Sequence, residues 1–267
     1  MLELKNVSKT FNPGTVNEKK ALSNINLSVK KGEFITIIGS NGAGKSTLFN
    51  AVSGAFLPDT GKITLDNEDI TLMPDFKRAR FIGRLFQDPK TGTAPSMTVE
   101  ENLMLASGGG RWLSISRKAE RNALKERVAS LGLGLEDRMK APVGLLSGGQ
   151  RQAVSLLMAT INPPKLLLLD EHTAALDPAA AEKILDVTEK TVSENGLTCL
   201  MITHNMSSAL KLGTRTVMMM DGQIIFDASG DERASLTVDD LLVRFKDAAG
   251  KCLTTTGCCF HKLGKES

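Results

Sequence analysis

Phe34-Ile-Thr-Ile-Ile-Gly39-Ser-Asn-Gly-Ala-Gly44-Lys45-Ser46-Thr47 is the stretch on which the architecture turns. Phe34–Gly39 is a short, nearly continuous apolar run behind the turn Lys31–Gly32–Glu33. Such a run reads as a strand buried on both faces, as in a parallel sheet. The residues from Gly39 through Ser46 fit the phosphate-binding loop pattern G-x-x-x-x-G-K-[ST] in its required place, after a strand and before a helix. Gly39, Gly42 and Gly44, with Ser40, Asn41 and Ala43 between them, let the backbone wrap a phosphate chain because glycine has no Cβ. Their N–H groups, with those of the helix opening through Ser46 and Thr47, face the anion. Lys45 then reaches the β- and γ-phosphates, and the Ser46 hydroxyl is offered to Mg²⁺.

Upstream, Leu2 and Leu4 alternate with charge, and Ile25, Leu27 and Val29 with polar residues, so the front reads as strands. Downstream, a helix runs from Lys45 to about Gly54, Lys62–Asp66 alternates again, and Phe81–Phe86 reads as a buried strand. Thr98-Val-Glu-Glu101 and Ser147-Gly-Gly-Gln150 are capping boxes opening helices to about Ala106 and Ile161. Between them Arg117–Leu131 carries a helical apolar face. The chain then alternates: strand Leu166–Asp170, helix Pro178–Glu194, strand Thr198–Thr203, helix Met206–Leu212. A hairpin comes next, Val217–Met220 and Gln223–Phe226 flanking Asp221–Gly222, then a helix over Leu236–Ala248. This order predicts an α/β fold with a mainly parallel core sheet, an N-terminal antiparallel β subdomain and an inserted helical subdomain. The expected boundaries are one domain over 1–250, with 1–90 and 163–230 forming the core and β subdomain and 91–162 the helical insert.

The strand Leu166–Asp170 delivers two acids to the C-terminal edge of the sheet, where ligands bind. Asp170 suits Mg²⁺, often through water, and Glu171 suits the base that polarises an attacking water. Leu146-Ser147-Gly148-Gly149-Gln150 puts a hydroxyl, two glycine N–H groups and a helix N-terminus at one point. It is an anion site without a lysine of its own, which makes sense against a phosphate held elsewhere.

Composition excludes several classes. The 267 residues suffice for one large domain or two small ones, not for a transporter with its own membrane bundle. A net charge of +3, 4% aromatics, one Trp and no Tyr argue against a nucleic-acid surface with stacking platforms. No apolar stretch approaches the ~20 residues of a membrane span, and the N-terminus lacks the apolar block of a signal peptide. The chain is therefore expected in the cytosol with its four cysteines reduced. Three of these, Cys252, Cys258 and Cys259, lie with His261 in the stretch 251–267, expected to be a disordered tail rather than a zinc site.

On these motifs the chain resembles the ATP-binding cassette (ABC) ATPases, with a P-loop NTPase core. The match covers about residues 1–230: the phosphate loop, Gln87, LSGGQ, LLLLDE, Ala175-Leu-Asp177 and His204, in family order. The resemblance implies that ATP and Mg²⁺ bind, and that Ser147–Gln150 closes on ATP held by a second copy in a head-to-tail homodimer. It implies that Gln87 senses Mg²⁺ and the attacking water and links them to the helical insert. Asp177 would cap its helix and touch the partner, and His204 would bond the γ-phosphate and orient Glu171. Phe11 falls where the family places an adenine-stacking aromatic; core packing is its other reading. His172 stands where the family usually has Pro, and reads as a subgroup trait rather than a tuner of Glu171. The chain looks like ATPases of prokaryotic importers, of the tryptophan/tyrosine or related small-solute type. That likeness implies partner permease subunits, an extracytoplasmic solute-binding protein and a place on the cytoplasmic membrane face. Asp88–Met97 would edge the groove for a permease coupling helix. The alternatives are a soluble non-transport cassette, as in cluster assembly, and a DNA-repair cassette, whose long insertions are absent.

Overall fold

In the computed structural model, residues 1–88, 90–108 and 117–255 are described, with backbone alone at 117–120 and 249–255. β1 (Leu2–Phe11) and β2 (Lys19–Val29) pair antiparallel, Leu2 opposite Val29 and Phe11 opposite Lys19. Both run longer than their apolar alternation, because β-ladder hydrogen bonds continue through polar residues once the register is set. β3 (Phe34–Gly39) leads into α1 (Lys45–Ser53). β4 (Thr60–Leu65) and the short β5 (Glu68–Asp69) complete a four-stranded antiparallel sheet of order β2-β1-β4-β5. α2 (Asp75–Arg78) precedes β6 (Ile82–Leu85).

The insert comes next: α3 (Val99–Ala106), α4 (Arg117–Ala129), a 3-10 turn (Val143–Leu145) and α5 (Gly148–Thr160). Both expected capping boxes form, with Thr98 and Ser147 as N-caps. Val99, Leu103, Leu124, Val128, Val154 and Leu157 give this insert a core of its own. It joins the sheet through α5, which packs on α6 (Pro178–Glu194).

β7 (Leu166–Asp170), β8 (Thr198–Ile202), α7 (Met206–Lys211), β9 (Arg215–Met220) and β10 (Gln223–Ser229) build the second sheet, of order β10-β9-β3-β8-β7-β6. β9, β3, β8, β7 and β6 are parallel and β10 is an antiparallel edge. β3, β7 and β8 are almost wholly buried, since α1 and the antiparallel sheet cover one face and α6 the other. The C-terminal end divides into α8 (Gly230–Ala234) and α9 (Val238–Thr255). α9 runs past the helix end expected at about Ala248 and takes in residues 251–255 of the stretch 251–267; the side chain of Cys252 and residues 256–267, with Cys258, Cys259 and His261, are outside what is described. Among the described residues, no helix is long and apolar enough to cross a membrane.

Candidate active site

The phosphate loop is held open by neighbours on both sides. Gly44 has φ +99°, and a Cβ there would lie 2.5 Å from the Ala21 carbonyl oxygen, so only glycine lets β2 approach this closely. The turn between β9 and β10 tucks against the same loop: the Gly222 N–H donates to the Ala43 carbonyl at 3.0 Å, and the Ser23 N–H donates to that of Gly222 at 2.8 Å. Lys45 is 5% exposed and donates from Nζ to the carbonyls of Gly39 (2.8 Å) and Ser40 (3.0 Å). Burial pushes its pKa below the usual ammonium value, against the pull of Glu171 and Asp170.

β7 presents the two acids beside this loop. The Ser46 hydroxyl donates to Asp170 Oδ1 at 3.4 Å, and Arg84 Nη2 donates to Asp170 Oδ2 at 3.3 Å. Burial pushes the Asp170 carboxyl above its ordinary pKa, and the Arg84 cation opposes that most. Glu171 takes a left-handed backbone, φ +43°, while its N–H donates to Ile202. Left-handed geometry in a non-glycine residue costs of order 1–3 kcal/mol and is retained where surrounding structure enforces it. The turn aims its carboxylate at the loop: Oε1 lies 3.9 Å from Lys45 Nζ and Oε2 lies 3.6 Å from His204 Nδ1.

A cleft of about 370 Å³ opens over these groups, lined by Asn41 to Thr47, Gln87 and Glu171. Lys19 and Ala21 of β2 complete it. Lys19 is a second cation beside the loop that the sequence motifs do not single out; it lies 22 residues before Asn41, and only the β1–β2 pairing signals its place. Ser46, Asp170 and Gln87 supply oxygen donors alone, which suits a hard cation sharing the phosphates of a nucleotide.

The remaining predicted residues are not brought here within one chain. Phe11 is 37% exposed, its ring meeting Phe56 edge-to-face at 5.4 Å, and lines no part of the cleft. Ser147 and Gly148 are exposed at the start of α5, where Gly149 approaches Ala180 of α6. Asp177 caps α6, accepting from the Ala180 N–H at 3.0 Å. His172 packs against α6. Its ring is 2% exposed and Nε2 lies 3.1 Å from Thr188 Oγ1. Since Thr188 donates to Ile184, the histidine nitrogen carries the proton in that pair. Burial holds the ring neutral, its pKa lowered to about 4.

Residues 22–174 match the family model described as ABC transporter. The chain is 43% identical over 251 residues to the tyrosine transport ATP-binding protein of Clostridioides difficile (strain R20291), covering 93% of this chain and all of that relative. It is 34% identical to the choline transport ATP-binding protein OpuBA of Bacillus subtilis (strain 168), covering 92% of this chain and 62% of the relative. The dimeric post-hydrolysis structure of the ATP-binding cassette MJ0796 with ADP and Pi superposes with a TM-score of 0.72 at 31% identity, over 86% of this chain and 98% of that one. Family model, relatives and fold agree, and the chain belongs to the ABC transporter family as an ATP-binding, ATP-hydrolysing subunit.

Proposed function

We propose that the cleft hydrolyses ATP through the residues gathered around Lys45, in a homodimer that closes on two nucleotides. The observation that carries this reading is the placement of Lys45, Glu171 and His204 within 4 Å steps of one another, with Ser46 on Asp170 beside them. Gly39 to Gly44 offer backbone N–H groups to the phosphates, and Thr47 sits at the N-terminal end of α1. Lys45, freed from the Gly39 and Ser40 carbonyls, takes the β- and γ-oxygens. Ser46 and Asp170, with Gln87 at the mouth, would hold Mg²⁺, which neutralises charge that develops on the phosphates. Glu171 orients a water and accepts its proton, while His204 fixes the Glu171 carboxylate and faces the γ-phosphate. Adenine stacks on the open face of Phe11, whose edge Phe56 supports.

Ser147, Gly148, Gly149 and Gln150 cannot serve their own chain's cleft, because they lie on the insert and line no part of it. Their exposed N-terminal cap meets the γ-phosphate of a partner copy, with Asp177 at the same interface. A groove of about 390 Å³ between β6 and α5, lined by Phe86, Asp88, Gly92 and Met158, accepts a permease helix. Its edge includes residues of the expected segment Asp88–Met97. The subunit then works on the cytoplasmic membrane face, with permease subunits and, outside, a solute-binding protein. Relatives named for tyrosine and choline transport support small-solute uptake, an amino acid first, over cluster assembly.

The test is Glu171→Gln beside Lys45→Ala. The first keeps ATP binding and loses hydrolysis by at least ~100-fold, as when a positioned base is removed. The second loses tight ATP binding. Near-normal ATP turnover by Glu171→Gln would remove the base from its assigned role.

A further inference from the structure

We propose that Arg84 is a positioning residue for Asp170: it holds one carboxylate oxygen so that the other stays turned to Ser46, and so sets how tightly the cleft takes a divalent cation with its nucleotide. This rests on the reading of Asp170 as a metal-holding carboxylate.

Arg84 stands in a strand position that period-two patterning assigns to the core. β6 pairs with β7, Ile82 opposite Leu166 and Arg84 opposite Leu168, and Ile82 packs into the apolar cluster under α1. Two residues on, the same side of the strand carries a guanidinium. Its fork divides between two elements. Nη1 donates to Asn50 Oδ1 at 2.8 Å and Ser53 Oγ at 3.2 Å on α1, and Nη2 donates to Asp170 Oδ2 at 3.3 Å on β7. The Phe86 ring covers the guanidinium face, 4.8 Å from Cζ to the centroid. Asp170 is thereby used at both oxygens, Oδ1 by Ser46 and Oδ2 by Arg84.

A second buried arginine shows what a purely structural role looks like in the same protein. Arg78 is fully buried and donates only to backbone carbonyls, those of Met73, Ala51, Val52 and Thr71, using Nε and both terminal nitrogens. Arg84 instead leaves Nε buried with no partner and commits a terminal nitrogen to a carboxylate. Its placement satisfies Asp170 better than it satisfies itself. A lysine has no planar fork with which to span Asn50, Ser53 and Asp170 together.

Loss of a partner that orients a metal-binding side chain typically costs about 10–100-fold in metal affinity or activity. The full-length protein, saturated with ADP, is titrated with Mn²⁺ and free Mn²⁺ is read by electron paramagnetic resonance, without turnover. Asp170→Asn weakens Mn²⁺ binding, and Arg84→Met weakens it about tenfold or more while ADP affinity in EDTA stays within about twofold. Arg84→Lys, which keeps charge and serves if Arg84→Met does not fold, shows most of the same loss. With Asp170→Asn impaired, unchanged or tighter Mn²⁺ binding in the folded Arg84 variants overturns the proposal; tighter binding would make Arg84 a competitor of the metal. Unchanged binding in Asp170→Asn overturns the reading of Asp170 itself, and the role of Arg84 with it.

Discussion

Glu171 and His172 are adjacent in the chain and opposite in environment. The left-handed turn at Glu171 sends one side chain over the phosphate loop and the next into the contact with α6. His172 therefore acts on folding, and its neutral ring carries no charge to Glu171. Burial lowers its pKa to about 4, against 6.5 in a free chain. Below pH 6.5 the unfolded chain binds a proton that the folded one refuses, so stability falls as pH drops through 6.5 towards 4 and the loss then levels off. At pH 5.5 one such group costs about 1 kcal/mol relative to pH 7.5. His172→Gln keeps a donor towards Thr188 and removes the titration. Urea midpoints at the two pH values should differ less in that variant than in the parent chain; equal differences would show that His172 titrates normally in the fold.

At the scale of elements, the loop from 90 to 98 is long and poor in regular structure, yet it is fastened. Asn102 of α3 is fully buried. Its Oδ1 accepts from the Ala94 N–H at 2.8 Å, and Nδ2 donates to the carbonyls of Ala94, Met97 and Thr98 at 3.1, 3.3 and 2.9 Å. The 3-10 turn closes the other side, Val143 N–H donating to Met97 and Gly144 N–H to Pro95. One amide thus replaces the ladder that a strand would supply. Asn102→Ala strands several buried polar groups and should destabilise the protein by roughly 2–3 kcal/mol. In a chain of this size that lowers the melting temperature by several degrees. A melting temperature within about 1 °C of the parent, small against that shift, would mean water replaces the side chain.

At the scale of the whole molecule, the proposed composite site has its two parts on different surfaces. Lys45 and Glu171 lie in the cleft, while Ser147 lies on the insert, capped and exposed. On the proposed reading, a second copy brings them together. With hydrolysis blocked, Glu171→Gln should sediment as a dimer with ATP and as a monomer without it. Adding Ser147→Arg fills the place of the partner's γ-phosphate and should leave only monomer. A double variant that still dimerises on ATP would mean that Ser147 does not face the partner's nucleotide.

Local sequence determined the strand Phe34–Gly39, the loop after it, the two capped helices of the insert and the pair of acids ending β7. Each depends on spacing within a few residues: buried-strand runs, glycines that permit positive φ, and hydroxyl–carboxamide or hydroxyl–carboxylate pairs three apart. The family resemblance placed Gln87, Asp177 and His204 by order along the chain. Tertiary structure alone decided the rest, because it depends on contacts between residues far apart in sequence. Lys19 enters the cleft through its pairing with Phe11, Arg84 reaches Asp170 across 86 residues, and His172 is neutral because α6 closes over it. Desolvation and charge pairing are properties of a packed surrounding, and no short stretch of chain contains its own surrounding.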